Sequence, residues 1–250
     1  MDRLSVCSFV SVVSLLNLFS AEGGEKMSRK NKVLMIIVGT MSVVLLASNF
    51  MAAKLWNLFG FAVDGGLLLF PLSYFFGDML MEIYGKRVAD YVAKIVVVLN
   101  VVAMVALGLV VYLPPFPGWN GQDAYATIFS FTARVTAGSL VGYLLSQLTN
   151  NWAFLKIFDW QLAGKKPKSL KGFKLRAIGS SLIGRFVDNL IFETIAFYGI
   201  LPLKEFLKQA GGAYAEGLIV EMVIVVLISD PTIKAVKAYI NKDTTIASNE

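Results

Sequence analysis

Long apolar runs separated by short polar breaks set the pattern of this chain from about residue 33 onward. The runs cover residues 33–50, 61–83, 91–113, 124–148, 177–201 and 215–239. Each is close to the ~20 residues that carry a helix through a bilayer. None shows the ~10-residue alternation of outer-membrane strands. The pattern predicts an all-α integral membrane protein, a bundle of six transmembrane helices. Proline and glycine punctuate the breaks, as in Pro114-Pro115-Phe116-Pro117-Gly118 after the third run and Gly211-Gly212 before the sixth.

Composition agrees with the pattern. Hydrophobic residues make up 56% and charged residues 16% of the 250 positions, against ~25% charged in a soluble domain. The net charge of +6 is distributed by loop. Lys26 to Lys32, then Lys86, Arg87 and Lys94, then the basic stretch 150–176, then Lys234, Lys237 and Lys242 fall in alternate breaks. These hold 17 of the 23 basic residues. Positive charge concentrates on the cytoplasmic side of membrane proteins, so both termini are expected there, and membrane lipid rather than nucleic acid is the expected partner of the basic loops. Residues 1–26 stand apart. Their apolar stretch resembles a signal peptide, but cleavage would leave Lys26 to Lys32 outside, against the charge rule. We read 1–26 as an N-terminal extension and 27–250 as a single six-helix domain.

The interior chemistry lies in the few polar residues inside the runs. An ionised side chain costs roughly 2.5–3.5 kcal/mol at a helix centre on insertion scales. Asp78, Arg134, Arg185, Asp188, Asn189, Glu193 and Glu221 lie deep in their runs, whereas Lys54, Asp64, Glu82 and Asp230 lie near the ends. Arg185, Asn189 and Glu193 are spaced by four and form a stripe, with Asp188 three residues from Arg185. That set reads either as a packing ion pair or as a ligand site. Asp78 and Glu82 share a helix face at i, i+4, and such a pair needs a cation or a ligand donor nearby; Arg134 and Arg185 are the cations that suggest themselves. Gly138 and Gly142 form a small-xxx-small pair, and Ser180 and Gly184 extend the theme, all read as helix packing.

Several chemistries are excluded. The chain has no histidine and one cysteine, so His-based catalysis, His proton relays and an intrachain disulfide are ruled out. No GxxxxGK[ST] stretch occurs. Neither Asp78 nor Asp188 sits in the tight loop of an intramembrane aspartyl protease. No enzymatic activity, cofactor or metal is expected.

Two blocks carry a family resemblance. The first is Ser48-Asn49-Phe50-Met51-Ala52-Ala53-Lys54, then Leu69-Phe70-Pro71-Leu72-Ser73-Tyr74, Gly77-Asp78 and Glu82-Ile83-Tyr84-Gly85-Lys86-Arg87. The second runs from Arg176 to Ser181, through Asp188-Asn189-Leu190-Ile191-Phe192, to Ile195-Ala196-Phe197-Tyr198-Gly199. Over about residues 31–239 they resemble the queuosine precursor transporter family, also called the vitamin uptake transporter family. The resemblance implies import of 7-cyano-7-deazaguanine or 7-aminomethyl-7-deazaguanine across a bacterial inner membrane by alternating access. The alternative it leaves is the substrate-binding subunit of an ATP-driven vitamin importer, which needs an ATPase partner; the transporter itself acts alone or as a homo-oligomer. Within it, Asp78, Glu82, Asp188 or Glu221 would accept from the base's N1–H and 2-amino group. Asn49, Lys54 or Asn189 would face its O6, and Tyr74, Phe75 or Phe192 would stack on it. Pro71 is expected to kink the second helix above Asp78. The chain departs from the family pattern at Arg185, where glutamine is usual, and at Asn189, where serine or threonine is usual. Arg185 therefore enters the expected site as a cation beside Asp188.

Overall fold

The computed structural model describes residues 27–52, 54–58, 61–129, 133–163, 170–199 and 202–247. The expectation for residues 1–26 lies outside them. Seven α-helices are present among the described residues: α1 (Arg29–Met51), α2 (Phe70–Tyr84), α3 (Lys86–Val111), the short α4 (Gln122–Phe129), α5 (Ala133–Ala163), α6 (Leu170–Phe197) and α7 (Leu203–Ala247). A two-stranded antiparallel hairpin, β1 (Leu55–Leu58) with β2 (Phe61–Asp64), pairs Leu55 with Asp64 and Leu58 with Phe61. A 3-10 turn (Gly65–Leu68) joins it to α2.

Burial is inverted relative to a soluble protein. On α3, Val98, Val102, Val105 and Leu109 are exposed, while Asp78, Asn150, Arg176 and Ser180 are fully buried. Apolar outside and polar inside is the arrangement that lipid selects. Three helical stretches are long and apolar enough to cross a membrane: Arg29–Met51, Lys86–Val111 and Phe206–Ser229, with mean hydropathies of 2.2, 2.6 and 1.9.

Basic residues gather at one end of the bundle. Tyr84 at the close of α2 donates to the Lys30 carbonyl at the start of α1 (2.6 Å). Arg29 donates to the Tyr239 carbonyl of α7 (3.4 Å). Lys237 of α7 reaches Glu82 of α2, and Arg176 near the start of α6 reaches Gln161 near the end of α5. The starts of α1, α3 and α6 therefore meet the ends of α2, α5 and α7, so the six longer helices alternate in direction. Gly85, at φ +81°, turns α2 into α3 in one residue, a conformation that costs any residue with a Cβ. Ser28 caps α1, its hydroxyl accepting from the Asn31 amide (3.3 Å).

Several sequence boundaries are corrected. The second run is not one helix from residue 61: the hairpin and the 3-10 turn precede α2. Pro71 lies in the first turn of α2, where its missing N–H is no loss, so it starts this helix rather than kinking it. Gly65 allows the turn to close on α1, since a Cβ there would lie 2.6 Å from the Met51 carbonyl oxygen. The fourth run divides into α4 and α5. Gln122 of α4 donates to the Val111 carbonyl at the end of α3 (2.9 Å), and Phe129 packs edge-on against Phe50 of α1, so α4 belongs with the neighbouring helix ends. The stretch 150–176 is mostly helix, because Asn150, Asn151 and Gln161 are buried and bonded. Gly211 and Gly212 lie inside α7, with open space where a Cβ would sit. Pro231 is accommodated within the same helix.

The α5–α6 hairpin is the most extensive helix pair. Going from one end to the other, Gly138 faces Ile195, Gly142 faces Asp188, Gly184 faces Asn150, and Gly179 faces Ile157. The first two glycines belong to α5 and the last two to α6, so each helix supplies the small residues along one half of a continuous antiparallel seam. A Cβ at Gly184 would lie 2.8 Å from the Asn150 Cβ and 3.2 Å from the Ser146 carbonyl. Gly184→Leu is expected to destabilise the protein by about 1–3 kcal/mol, whereas Gly39→Leu, with nothing within 4 Å, leaves the thermal midpoint of the purified protein in detergent unchanged.

Candidate functional site

The interior polar groups form layers. α2 contributes Glu82, Asp78 and Tyr74 at intervals of four, so each step is about 6 Å along the axis. α6 contributes Arg176, Ser180, Arg185 and Asp188. α5 and α7 complete each layer.

The layer nearest the basic end is an ion-pair network. Arg176 donates to Glu82 (2.6 Å) and to Gln161 (2.8 Å). Lys237 donates to the other Glu82 oxygen (3.0 Å). The Arg176 side chain is fully buried and that of Glu82 nearly so, while Lys237 is about half exposed. The rings of Phe154 and Phe158 cover the guanidinium. Beside it, Asp90 receives Lys86 and Asn151.

The next layer is built on Asp78. One carboxylate oxygen accepts from the Asn150 amide (2.7 Å) and from the Ser180 hydroxyl (3.5 Å). The other is buried with no partner among the described residues. Gly77 beside it permits α5 to approach, since a Cβ would meet the Gln147 side-chain oxygen at 2.5 Å.

One turn further, four helices converge. Tyr74 of α2 donates to Ser146 of α5 (2.8 Å) and faces Asp188 of α6. Arg185 of α6 lies over the Phe70 and Tyr74 rings, 5.4 and 5.6 Å from their centroids. Glu221 of α7 is 3.9 Å from the Arg185 Nε and next to Ser181. It is 1% exposed, and neither of its oxygens has a hydrogen-bond partner among the described residues. Asp78 and Asp188 both lie near enough to act electrostatically on Glu221.

The structure thus brings Tyr74, Asp78, Arg185, Asp188 and Glu221 together. It places the other candidates elsewhere. Glu82 is engaged by Arg176 and Lys237. Among the described residues the cations serving Glu82 on that face are Arg176 and Lys237, in place of Arg185. Asn49 accepts from Ser139 (2.6 Å) towards the opposite end. Asn189 donates to the Ala210 carbonyl (2.8 Å), and Glu193 accepts from Gln209 (3.4 Å). Lys54 is exposed beside the hairpin. The side chains of Asp64, Arg134 and Asp230 lie outside the described residues. The sequence reading missed Asn150, Ser146, Gln147 and Arg176. Tyr143, Ser146, Gln147 and Asn150 repeat at i, i+3, i+4 and i+7, a polar face that marks the inward side of α5. Arg176 was absorbed into the count of topology charges. Among the described residues, no group of three or more His, Cys, Asp or Glu side chains is placed to hold a metal ion.

Comparison with known proteins gives the geometry a context. A family model described as "Putative vitamin uptake transporter" matches residues 64–240. A Bacillus subtilis (strain 168) protein named "Probable queuosine precursor transporter" is 28% identical over 158 residues, 63% of this chain and 66% of the relative. An Escherichia coli (strain K12) protein named "Queuosine precursor transporter" is 23% identical over 156 residues, 62% of this chain and 65% of the relative. The match spans just under two thirds of each relative's length. Both are named as transporters and neither as an enzyme. No solved structure matches.

The Arg176 network generates a stability prediction. Arg176→Met leaves the buried Glu82 with Lys237 alone and is expected to cost about 3–5 kcal/mol. The double variant Arg176→Met/Glu82→Met recovers most of that loss. Thermal unfolding of both variants in detergent measures the difference.

Proposed function

The chain belongs to the vitamin uptake transporter family, and we propose that it imports a queuosine precursor, 7-cyano-7-deazaguanine or 7-aminomethyl-7-deazaguanine, by alternating access. In this reading the six longer helices are six passes through the bacterial inner membrane, with both termini in the cytoplasm. The names of the two relatives support the substrate class, and the gathering of basic residues at one end supports the orientation.

The observation that carries the reading is the set of buried carboxylates where α2, α5, α6 and α7 meet. Glu221 has two oxygens, and Asp78 one, with no donor among the described residues. A buried acceptor left without a donor is costly, so these atoms favour a ligand that brings donors. A 7-deazaguanine presents N1–H and the 2-amino group side by side, a pair that one carboxylate accepts in parallel. Asp78, Asp188 and Glu221 are the acceptors in this proposal, and Tyr74 supplies an aromatic face. Asn49 and Asn189 are engaged by Ser139 and the Ala210 carbonyl and Lys54 is exposed, so none of them is part of the base's seat in this proposal. A closed set of paired groups at the basic end, Arg176, Glu82 and Lys237, separates the seat from the cytoplasm, and alternating access requires that network to open.

Import is tested in cells that cannot synthesise the precursor. Supplying this gene restores accumulation of labelled precursor; no accumulation at any external concentration contradicts the proposal. Accumulation that disappears when ATPase and coupling partner proteins are deleted assigns the chain to the binding-subunit alternative. Asp78→Asn and Glu221→Gln, which each remove a charged acceptor worth about 1.5–3 kcal/mol, are expected to lower import about ten- to hundred-fold while membrane insertion persists.

A further inference from the structure

Two buried arginines in this bundle are held in different ways. Arg176 meets its carboxylate at 2.6 Å, with a second hydrogen bond to Gln161. That is the short, charge-assisted geometry of a structural ion pair. Arg185 is nearly as buried, yet its nearest carboxylate oxygen, on Glu221, is 3.9 Å away, beyond hydrogen-bond length. What holds its guanidinium is two aromatic faces, Phe70 at 5.4 Å and Tyr74 at 5.6 Å. α7 makes room for it: a Cβ at Gly217 would overlap the guanidinium itself. The group is thus seated in a slot of aromatic walls and carboxylates without being fastened there.

We infer that the Arg185 guanidinium is a built-in stand-in for the guanidine edge of the transported base, occupying its seat until the substrate displaces it. The inference rests on the reading under Proposed function. The N1–C2(N2)–N3 unit of a 7-deazaguanine and a guanidinium share a planar shape and a row of N–H donors. Both are suited to the same two partners, an aromatic face and a carboxylate. An anionic substrate group is a poor fit for this position, because Asp188 and Glu221 flank Arg185. In the empty protein the Arg185 charge sits close to Glu221 and offsets it electrostatically, without donating a hydrogen bond to it. When the base enters, it takes the Phe70 and Tyr74 faces and the free Glu221 oxygens, and Arg185 swings aside. Arg185 therefore tunes affinity by competition and does not hold the substrate.

Binding of 7-cyano-7-deazaguanine to the purified protein distinguishes competition from contact. If Arg185 fills the seat about nine-tenths of the time, its removal tightens binding about ten-fold. Arg185→Gln is accordingly expected to bind the base about ten-fold more tightly than the wild type. Equal or weaker binding overturns the inference. A second arm does not depend on the base. In Arg185→Ala, millimolar methylguanidinium refills the slot and raises the thermal midpoint of the variant, while leaving the wild type unchanged. Stabilisation of neither protein, or of both equally, overturns the slot. Methylguanidinium stabilisation of Arg185→Ala, with no deazaguanine bound by any form of the protein, retains the slot and overturns the choice of base.

Discussion

A charge inside a lipid-surrounded bundle must find its counterpart within the protein, and this requirement organises the whole interior. Desolvation of a single ion costs several kcal/mol. The chain meets that cost by layering its polar groups along four facing helices. Glu82 is satisfied by Arg176 and Lys237. Asp78 is satisfied in part, by Asn150 and Ser180. Glu221 is left almost bare. Satisfaction falls from Glu82 through Asp78 to Glu221, and the less satisfied layers are those we assign to the ligand. The same helices serve both ends of that gradient, because the α5–α6 glycine seam brings their backbones close enough for short side chains such as Asn150 and Ser180 to reach across.

Much of this was legible in the sequence. The apolar runs gave the helical class, and the depth of Asp78, Arg185, Asp188 and Glu221 within those runs singled out residues that the fold does bring together. Three kinds of feature were not legible. Run lengths set by hydropathy stop where polar residues begin, so α5 looked as if it ended near residue 148; Asn150, Asn151 and Gln161 face inward, and the helix continues to Ala163. The apolar strands Leu55–Leu58 and Phe61–Asp64 are too short to distinguish from the start of a helix by hydrophobicity alone. Pairing across the bundle was the third. Arg176 and Glu82 are 94 residues apart, and nothing local marks one as the other's partner. Arg185 was expected beside Asp188 from their spacing, but its seat on Phe70 and Tyr74 depends on how α2 and α6 pack.

Two arginines on one helix, nine residues apart, therefore have distinct roles. Arg176 is locked by short hydrogen bonds and ties α2, α5 and α6 together at the basic end. Arg185 is held by ring faces and a clearance at Gly217. One is a set of short, paired contacts at the basic end, the other a seat whose occupant is not hydrogen-bonded to its carboxylate neighbour.

The central claim is that buried carboxylates read the donor edge of a guanine-like base. Equilibrium binding of 7-cyano-7-deazaguanine against its 2-desamino analogue, 7-cyano-7-deazahypoxanthine, tests it most directly. The two differ in one amino group. If Asp78, Asp188 and Glu221 form the reading edge, loss of that donor leaves a charged acceptor unpaired, and the analogue binds at least about ten-fold more weakly. Equal affinity for the two compounds would contradict the account.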